Sequence, residues 1–470
     1  VRRKRVSGTL LAAAALGLFA CVHGAREPRI VPSGGSTVLV YLDPRPGPPE
    51  ILEVSLEALG AVGADGQEVP LPLRQSVART GRLPGGRLLA WGILPPGPYT
   101  GLSLRVRAIT VQTADGQREI SPPGGELRTP VSFEAVPGRA VVVRLGLGGS
   151  VGGGEETASG LLLTARLPGR LATGLAGIVS CRRADLLVVF DKMSGEVAGA
   201  IATGHKPAGV ALDLPRGRAY VALSDEDAVE AVDLVELAVL SRVPLAAGDE
   251  PVDVALSPDG RTLLVANRGS GTVSALDPDS LFERGRSRVG DGPEFLVVDG
   301  QGRRAYVANA LSSSVSVLEL PAGSPIGTIP TEPAPFRAAL SRDGTRLYVV
   351  HRTSPYLSVL DVGAGRVERR VYVGLGASAL AVDRATDRIY LALRGSNSVA
   401  IYDPLSLLPT DSVAAGGDVG FLAIDPEGNS LCMTLPSDGQ VRLARLVGKQ
   451  EFAQAEVPED PYEVALPGER

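Results

Sequence analysis

Residues 251–277 read PVDVALSPDGRTLLVANRGSGTVSALD, and the architecture of most of the chain follows from this stretch. Three short apolar runs stand out: Pro251 to Leu256, Leu263 to Ala266 and Val273 to Asp277. The tight-turn pair Asp259-Gly260 separates the first two, and a polar turn separates the second from the third. Runs of this length, rich in Val and Leu and bounded by turn residues, are short strands joined by hairpins. The opening phrase recurs at Pro207 to Leu212, Pro293 to Val298, Pro335 to Leu340, Ala377 to Val382, Val419 to Ile424 and Pro461 to Leu466. Successive starts lie 44 residues apart once and 42 residues apart five times.

A fourth, more variable run ends in glycine, as at Gly290 and Gly374. Four antiparallel strands repeated every 40–45 residues or so define the blade of a β-propeller. The count closes on seven. Ile178 to Asp191 supplies the second and third strands of a first blade that has no first strand of its own, and Pro461 to Leu466 is a first strand with nothing after it. Joining the two ends leaves no element over and no open sheet edge. The fold class expected is all-β, a seven-bladed β-propeller preceded by a β-sandwich.

The wording at residues 258–277 resembles the YVTN-type propeller repeat, the group that includes YncE-like proteins, and the likeness extends over residues 172–467. It implies a seven-bladed propeller of the kind common in cell-envelope proteins. It implies no reaction, because a fold does not carry one.

Residues 36–168 follow another grammar. Apolar alternation at Thr37 to Leu42, Leu52 to Leu59, Leu102 to Val111 and Val131 to Leu145, broken by Asp65-Gly66, Asp115-Gly116 and Pro137-Gly138, reads as a sandwich of about seven strands. Leu94 to Val106, with Asp115-Gly116 and Phe133 to Gly138, resembles an uncharacterised domain of bacterial lipoproteins. Gly146 to Gly160 reads as a loop, and Trp91 as sandwich core.

At the N-terminus, Arg2-Arg3-Lys4-Arg5 precedes an apolar run to Ala20 and then Cys21. Leu18-Phe19-Ala20-Cys21 resembles the lipobox of bacterial lipoproteins, which implies a signal peptide over 1–20, acylation of Cys21 and a linker over 21–35. The partner so implied is a membrane, reached through lipid in the cell envelope, at the outer membrane or cell surface. Loss of four basic residues would move the formal charge from −5 to −9. An acidic protein is a poor match for nucleic acid, which needs a basic face. Cys181 and Cys432 fall inside expected strands and read as small buried side chains.

No CxxCH, HExxH or P-loop pattern occurs, so neither cofactor nor metal is expected. The acids Asp249, Glu250, Asp291, Asp418, Glu459 and Asp460 gather at loop mouths without the close spacing of a calcium loop. The acid that ends each third strand (Asp191, Asp233, Asp277, Glu319, Asp361, Asp403) repeats with the blades and reads as a turn cap. One face of a propeller gathers the loops from fourth to first strand and from second to third. That face offers Asp253, Arg337 and Glu463 at the starts of first strands, with Phe295 and Phe421 in the same register. The second-to-third loops add Arg182, Arg183, Arg268, His351, Arg352 and Arg394. Arginines above axial carboxylates suit an anionic ligand. The expected function is a ligand- or protein-binding module. The alternatives are a propeller hydrolase of the sugar-lactonase type, working through His351, and a structural envelope protein. If the N-terminal reading holds, metabolic fatty-acid labelling marks the wild type and not Cys21→Ala; equal labelling of both removes the lipid anchor.

Overall fold

The alternation of residues 251–277 becomes the sheet Pro251–Leu256, Leu263–Asn267, Thr272–Leu276 and Glu283–Arg288 in a computed structural model of the chain. The structure describes residues 34–44, 51–79, 84–113, 116–120, 125–148 and 162–468. Cys21, the signal peptide expected over 1–20 and most of the loop expected at Gly146 to Gly160 lie outside those residues. Among the described residues there are seven such four-stranded antiparallel sheets. Their inner strands neighbour one another in a complete cycle. These are Pro207–Asp213, Pro251–Leu256, Pro293–Val298, Pro335–Leu340, Ala377–Val382, Phe421–Asp425 and Pro461–Ala465. The repeat therefore predicts the inner strands to within about two residues. Apolar side chains alternate across each sheet, so every blade buries one face against the blade before it and one against the blade after.

Closure occurs where the repeat demanded it. Pro461–Ala465 pairs antiparallel with Ala176–Cys181, matching Val179 to Val464 and Ile178 to Ala465. A blade made from the two ends of the chain is complete in hydrogen bonds only when both ends are present. A second tie lies beside it: the Lys192 ammonium, 2 % exposed, donates to Asp425 at 3.1 Å and to Glu427 at 3.3 Å. Lys192 belongs to the first blade and Asp425 ends the inner strand of the last complete one, so this buried pair spans the seam. Five of the six recurring third-strand acids cap turns as expected. Asp191 accepts from Met193 N at 2.7 Å, Asp233 from Val235 N at 2.7 Å, Asp277 from Ser280 N at 2.9 Å, Asp361 from Ala364 N at 2.8 Å and Asp403 from Ser406 N at 2.8 Å.

Upstream of the ring, two sheets face each other around a common apolar core. One has four strands, in the order Leu162–Arg166, Ala140–Gly148, Ser36–Leu42, Arg87–Leu94; the other has six, built on Ile51–Gly63 and Gly97–Thr113. Ser36–Leu42 is apolar on both faces, and both faces are buried. Val38, Val40 and Leu42 point into the sandwich core, while Leu39 and Tyr41 join a second core made with the first and last blades. Trp91, expected within the sandwich, packs partly buried against that second core instead, because its strand parity matches Leu39 across the pair. Cys181 and Cys432 pack in the same core.

Docking of the sandwich explains an irregularity of the outer strands. Five of them, such as Glu283–Arg288 and Arg366–Tyr372, are largely exposed or half-buried. Val197–Ala202 and Glu451–Glu456, on the first and last blades, are largely buried. Glu456 anchors the contact: its carboxylate takes Arg87 Nη1 at 2.6 Å and Leu88 N at 2.9 Å, and its carbonyl takes the Tyr41 hydroxyl at 2.9 Å. Arg74 Nη1 donates to Val457 O at 2.6 Å, and Arg144 bridges Asp43 and Glu196 at 2.6 Å each. Backbones come close enough that a Cβ on Gly85 would sit 1.9 Å from Gln454 O. Removing one member of a buried ion pair leaves the other uncompensated, at a cost of about 3–5 kcal/mol. Lys192→Ala should therefore lower the unfolding midpoint by several degrees in a thermal scan. A midpoint within about one degree of wild type would show that the pair does not hold the seam.

Candidate functional site: an arginine-lined axial funnel

Seven inner strands converge on one axis, so their early side chains meet there. In most blades the register between inner and second strands slips just after the leading residue, between Pro251 and Asp253, Pro293 and Phe295, Pro335 and Arg337, and Ala377 and Ala379. Such a bulge re-aims side chains. Here it turns the second residue of the strand into the wall of an upper funnel and the third onto the axis. The funnel has a volume of about 440 Å³ and is walled by second residues, among them Glu294, Phe336, Ser378 and Tyr462. Its mouth is formed by the residues that follow the second strands, including Arg182, Arg268, Arg352 and Arg394.

Arg337 makes the floor. It is 5 % exposed, and its guanidinium lies 4.9 Å from the Phe295 ring, 4.8 Å from Phe421 and 5.3 Å from Tyr462. Three rings from three other blades can reach one guanidinium only at the axis. Glu463 approaches its Nη1 at 3.6 Å, while Arg337 Nε is buried with no hydrogen-bond acceptor. Below this waist a second cavity of about 420 Å³ opens toward the Asp-Gly hairpins, lined by Asp253, Phe295, Phe421 and Glu463 with mainly aliphatic walls.

The axial carboxylates also tie blades together. Asp253 accepts from Leu296 N of the next blade at 2.6 Å, and Glu463 from Val210 N at 3.2 Å. Gly209, in the register of Asp253, leaves the room required: a Cβ there would stand 2.6 Å from Asp253 Cα. Burial, and then the negative charge of Glu463, hold the Asp253 carboxyl well above the ordinary carboxylate range.

Sequence reasoning brings Arg268, Arg337, Arg352 and Arg394 to one funnel, with Asp253 and Glu463 beneath, and the structure does the same. Two candidates lie elsewhere. Arg183 projects from the rim, 74 % exposed, 3.8 Å from Glu459. His351 is the last residue of its strand and points into its own blade, fully buried, with Nδ1 3.0 Å from Tyr356 O. Strand parity decides this: Asn267 and Asn309 hold the same register and bind Ser274 and Ser316 inside their blades. Burial lowers the His351 pKa from its ordinary value. The mouth acids are engaged locally, Asp249 by Arg286 at 2.8 Å, Asp291 by Arg288 at 2.6 Å and Asp418 by Gly395 N at 2.7 Å. Glu294 and Tyr462 were missed. Glu294 lies between two arginines, 3.4 Å from Arg268 and 3.0 Å from Arg352. The signal for both was their column in the repeat: Ala208, Val252, Glu294, Phe336, Ser378, Gly420 and Tyr462 share one position and no chemistry, so blade packing does not dictate it.

A closed ring of four-stranded sheets around an axial channel is a β-propeller. The family model described as YNCE-like beta-propeller matches residues 187–388. No curated protein matches the chain. Among solved structures, hydrazine synthase of Kuenenia stuttgartiensis is similar at 21 % identity, over 51 % of this chain and 76 % of that one, with a TM-score of 0.47. Dihydro-heme d1 dehydrogenase NirN, solved in complex with DHE, is similar at 16 % identity, over 64 % of this chain and 77 % of that one, with a TM-score of 0.50. At 16 % identity the likeness to NirN concerns the fold alone.

The displaced Asp253 titration has a consequence for stability. In the unfolded chain an aspartate ionises near about 3.9. A folded value above that means the native state holds the proton more tightly, so the stability this gives is fully present below the unfolded value and is lost as pH rises through the folded one. Asp253→Asn keeps an acceptor for Leu296 N and has no such loss. Its stability relative to wild type, from urea unfolding at pH 4 and pH 7, should shift in favour of the variant at the higher pH. A shift in favour of wild type would contradict the placement of this carboxylate.

Proposed function

We propose that this chain is a lipid-anchored binding module of the bacterial cell envelope, and that the propeller seats an anionic ligand in the upper funnel. One observation carries the reading. A chain of formal charge −5 lines a single axial cavity with five arginines and buries one of them, Arg337, as its floor. Exposed arginines on loops serve solubility by default. A guanidinium stripped of water is different, because its desolvation is unfavourable unless an acceptor or counter-charge compensates. Aromatic faces offset part of that cost, and an oxyanion can take the remaining donors in the planar fork that arginine presents.

The hydrolase alternative needed His351 beside the channel; an imidazole bound to Tyr356 within its blade supports packing rather than chemistry. Lipidation at Cys21 is the remaining part of the proposal, resting on the order of basic, apolar and cysteine residues at the N-terminus.

A ligand that binds only the folded protein raises its unfolding midpoint. Millimolar citrate or a phosphate ester should raise the midpoint of the full-length wild type, whereas uncharged sugars should not. Arg337→Met retains the length of the stem and loses the charge, so the shift should vanish; each charged hydrogen bond lost costs about 1.5–3 kcal/mol. An equal shift in Arg337→Met would remove Arg337 from the site, and the absence of any shift in wild type would remove the anion reading.

A further inference from the structure

We infer that the ligand is a small multianion, either a phosphate monoester or a di- or tricarboxylate, whose acidic group enters on the Arg182–Tyr462–Arg337 side of the funnel. The inference rests on the anion reading above and adds the charge of the ligand and its orientation.

Charge comes first. The funnel is lined by five arginines and two acids, Glu294 and Asp418, and Glu463 lies 3.6 Å from Arg337 Nη1 at its floor, which leaves two positive charges uncompensated. A monoanion would still leave one guanidinium group without a counter-charge. A ligand carrying at least two negative charges balances the cavity. About 440 Å³ is within the range of small-molecule sites, and Phe336, Val252 and Ala208 offer apolar wall to its uncharged part.

Orientation follows from where the donors are already satisfied. On one side, Glu294 is buried between Arg268 and Arg352, at 3.4 and 3.0 Å, and Arg352 also stacks 4.5 Å from the Phe336 ring. Those two arginines have an internal counter-ion. On the other side, Arg182 and Arg337 share the Tyr462 ring, at 4.5 and 5.3 Å, and the Glu463 carboxylate lies 3.6 Å from Arg337 Nη1. Both have a buried Nε with no hydrogen-bond acceptor. Two guanidinium groups held by one ring in the funnel lining form a fixed receptor for oxyanion oxygens. Arg394 at the mouth adds a third charge for the second acidic group.

Isothermal titration of the full-length protein with acetate, succinate, citrate and glycerol 3-phosphate tests both parts. Affinity should rise at least tenfold from acetate to the multianions and fall as salt is raised. Tighter binding of glycerol 3-phosphate than of succinate assigns the phosphate ester; the reverse assigns the carboxylates. Arg182→Gln, at a half-buried position near the mouth, should weaken the best anion at least tenfold. Arg268→Gln, which leaves Glu294 paired with Arg352, should change it less than threefold. Equal affinity for acetate and the multianions overturns the charge argument, and a loss in Arg268→Gln with none in Arg182→Gln overturns the orientation; both leave anion binding standing. Heat from none of the four anions removes the anion reading itself. Arg337→Gln serves as a further arm when its thermal unfolding remains cooperative.

Discussion

Hydrogen bonding between Pro461–Ala465 and Ala176–Cys181 is the constraint under which everything else in this molecule operates. Six of the seven blades are made from continuous chain, and each could close its own sheet. The seventh is made from two ends separated by nearly three hundred residues of ring. Until those ends meet, the strand Ala176–Cys181 presents an unpaired edge, and the inner strands lack a common axis. The funnel exists only because seven inner strands point at one line, so the site depends on the seam even though no funnel residue lies outside the ordinary repeat.

The sandwich acts on that same seam. Its Ser36–Leu42 strand is buried on both faces, one against its own opposite sheet and one against the first and last blades. These are the two blades that closure brings side by side. Alanine and glycine in Val197–Ala202, and alanines in Glu451–Glu456, permit close approach. Short side chains on an outer strand leave room for a second layer. Lys192 with Asp425 on the ring and Glu456 with Arg87 and Leu88 at the interface tie the same region through charge. Buried charges of this kind specify one arrangement, because a misaligned partner would leave an ion uncompensated.

Around the axis the repeat divides into tiers with different physical duties. Leading prolines and the aliphatic residues at the fourth and later positions serve blade packing and hardly vary. Second and third residues vary in chemistry, from glycine to arginine, because they face the channel and not the packed interior of a blade. Asp253 and Glu463 take backbone N–H groups of adjoining blades, and Arg337 is clasped by rings from three blades. Each of these contacts runs between blades, so the polar axis helps hold the ring in register as well as shaping the cavity.

From sequence alone the class of fold, the strand boundaries of the ring and the manner of closure were all legible, because a 42-residue period and a two-residue alternation are one-dimensional signals. The arginine set was legible for the same reason: Arg268, Arg352 and Arg394 occupy equivalent places after the second strand, and Arg337 opens a first strand. Three-dimensional packing decided the rest. A bulge at the start of the inner strands brought Glu294 and Tyr462 into the funnel wall, and a local register slip leaves no mark in hydrophobic periodicity. Parity at the end of a strand turned His351 into its blade, one residue away from Arg352 at the mouth. Trp91 and the apolar second face of Ser36–Leu42 belonged to an interface between two modules, and burial on both sides of a strand does not say what covers each side. Sequence periodicity names the faces of an element; only the assembled tertiary structure determines which surfaces those faces meet.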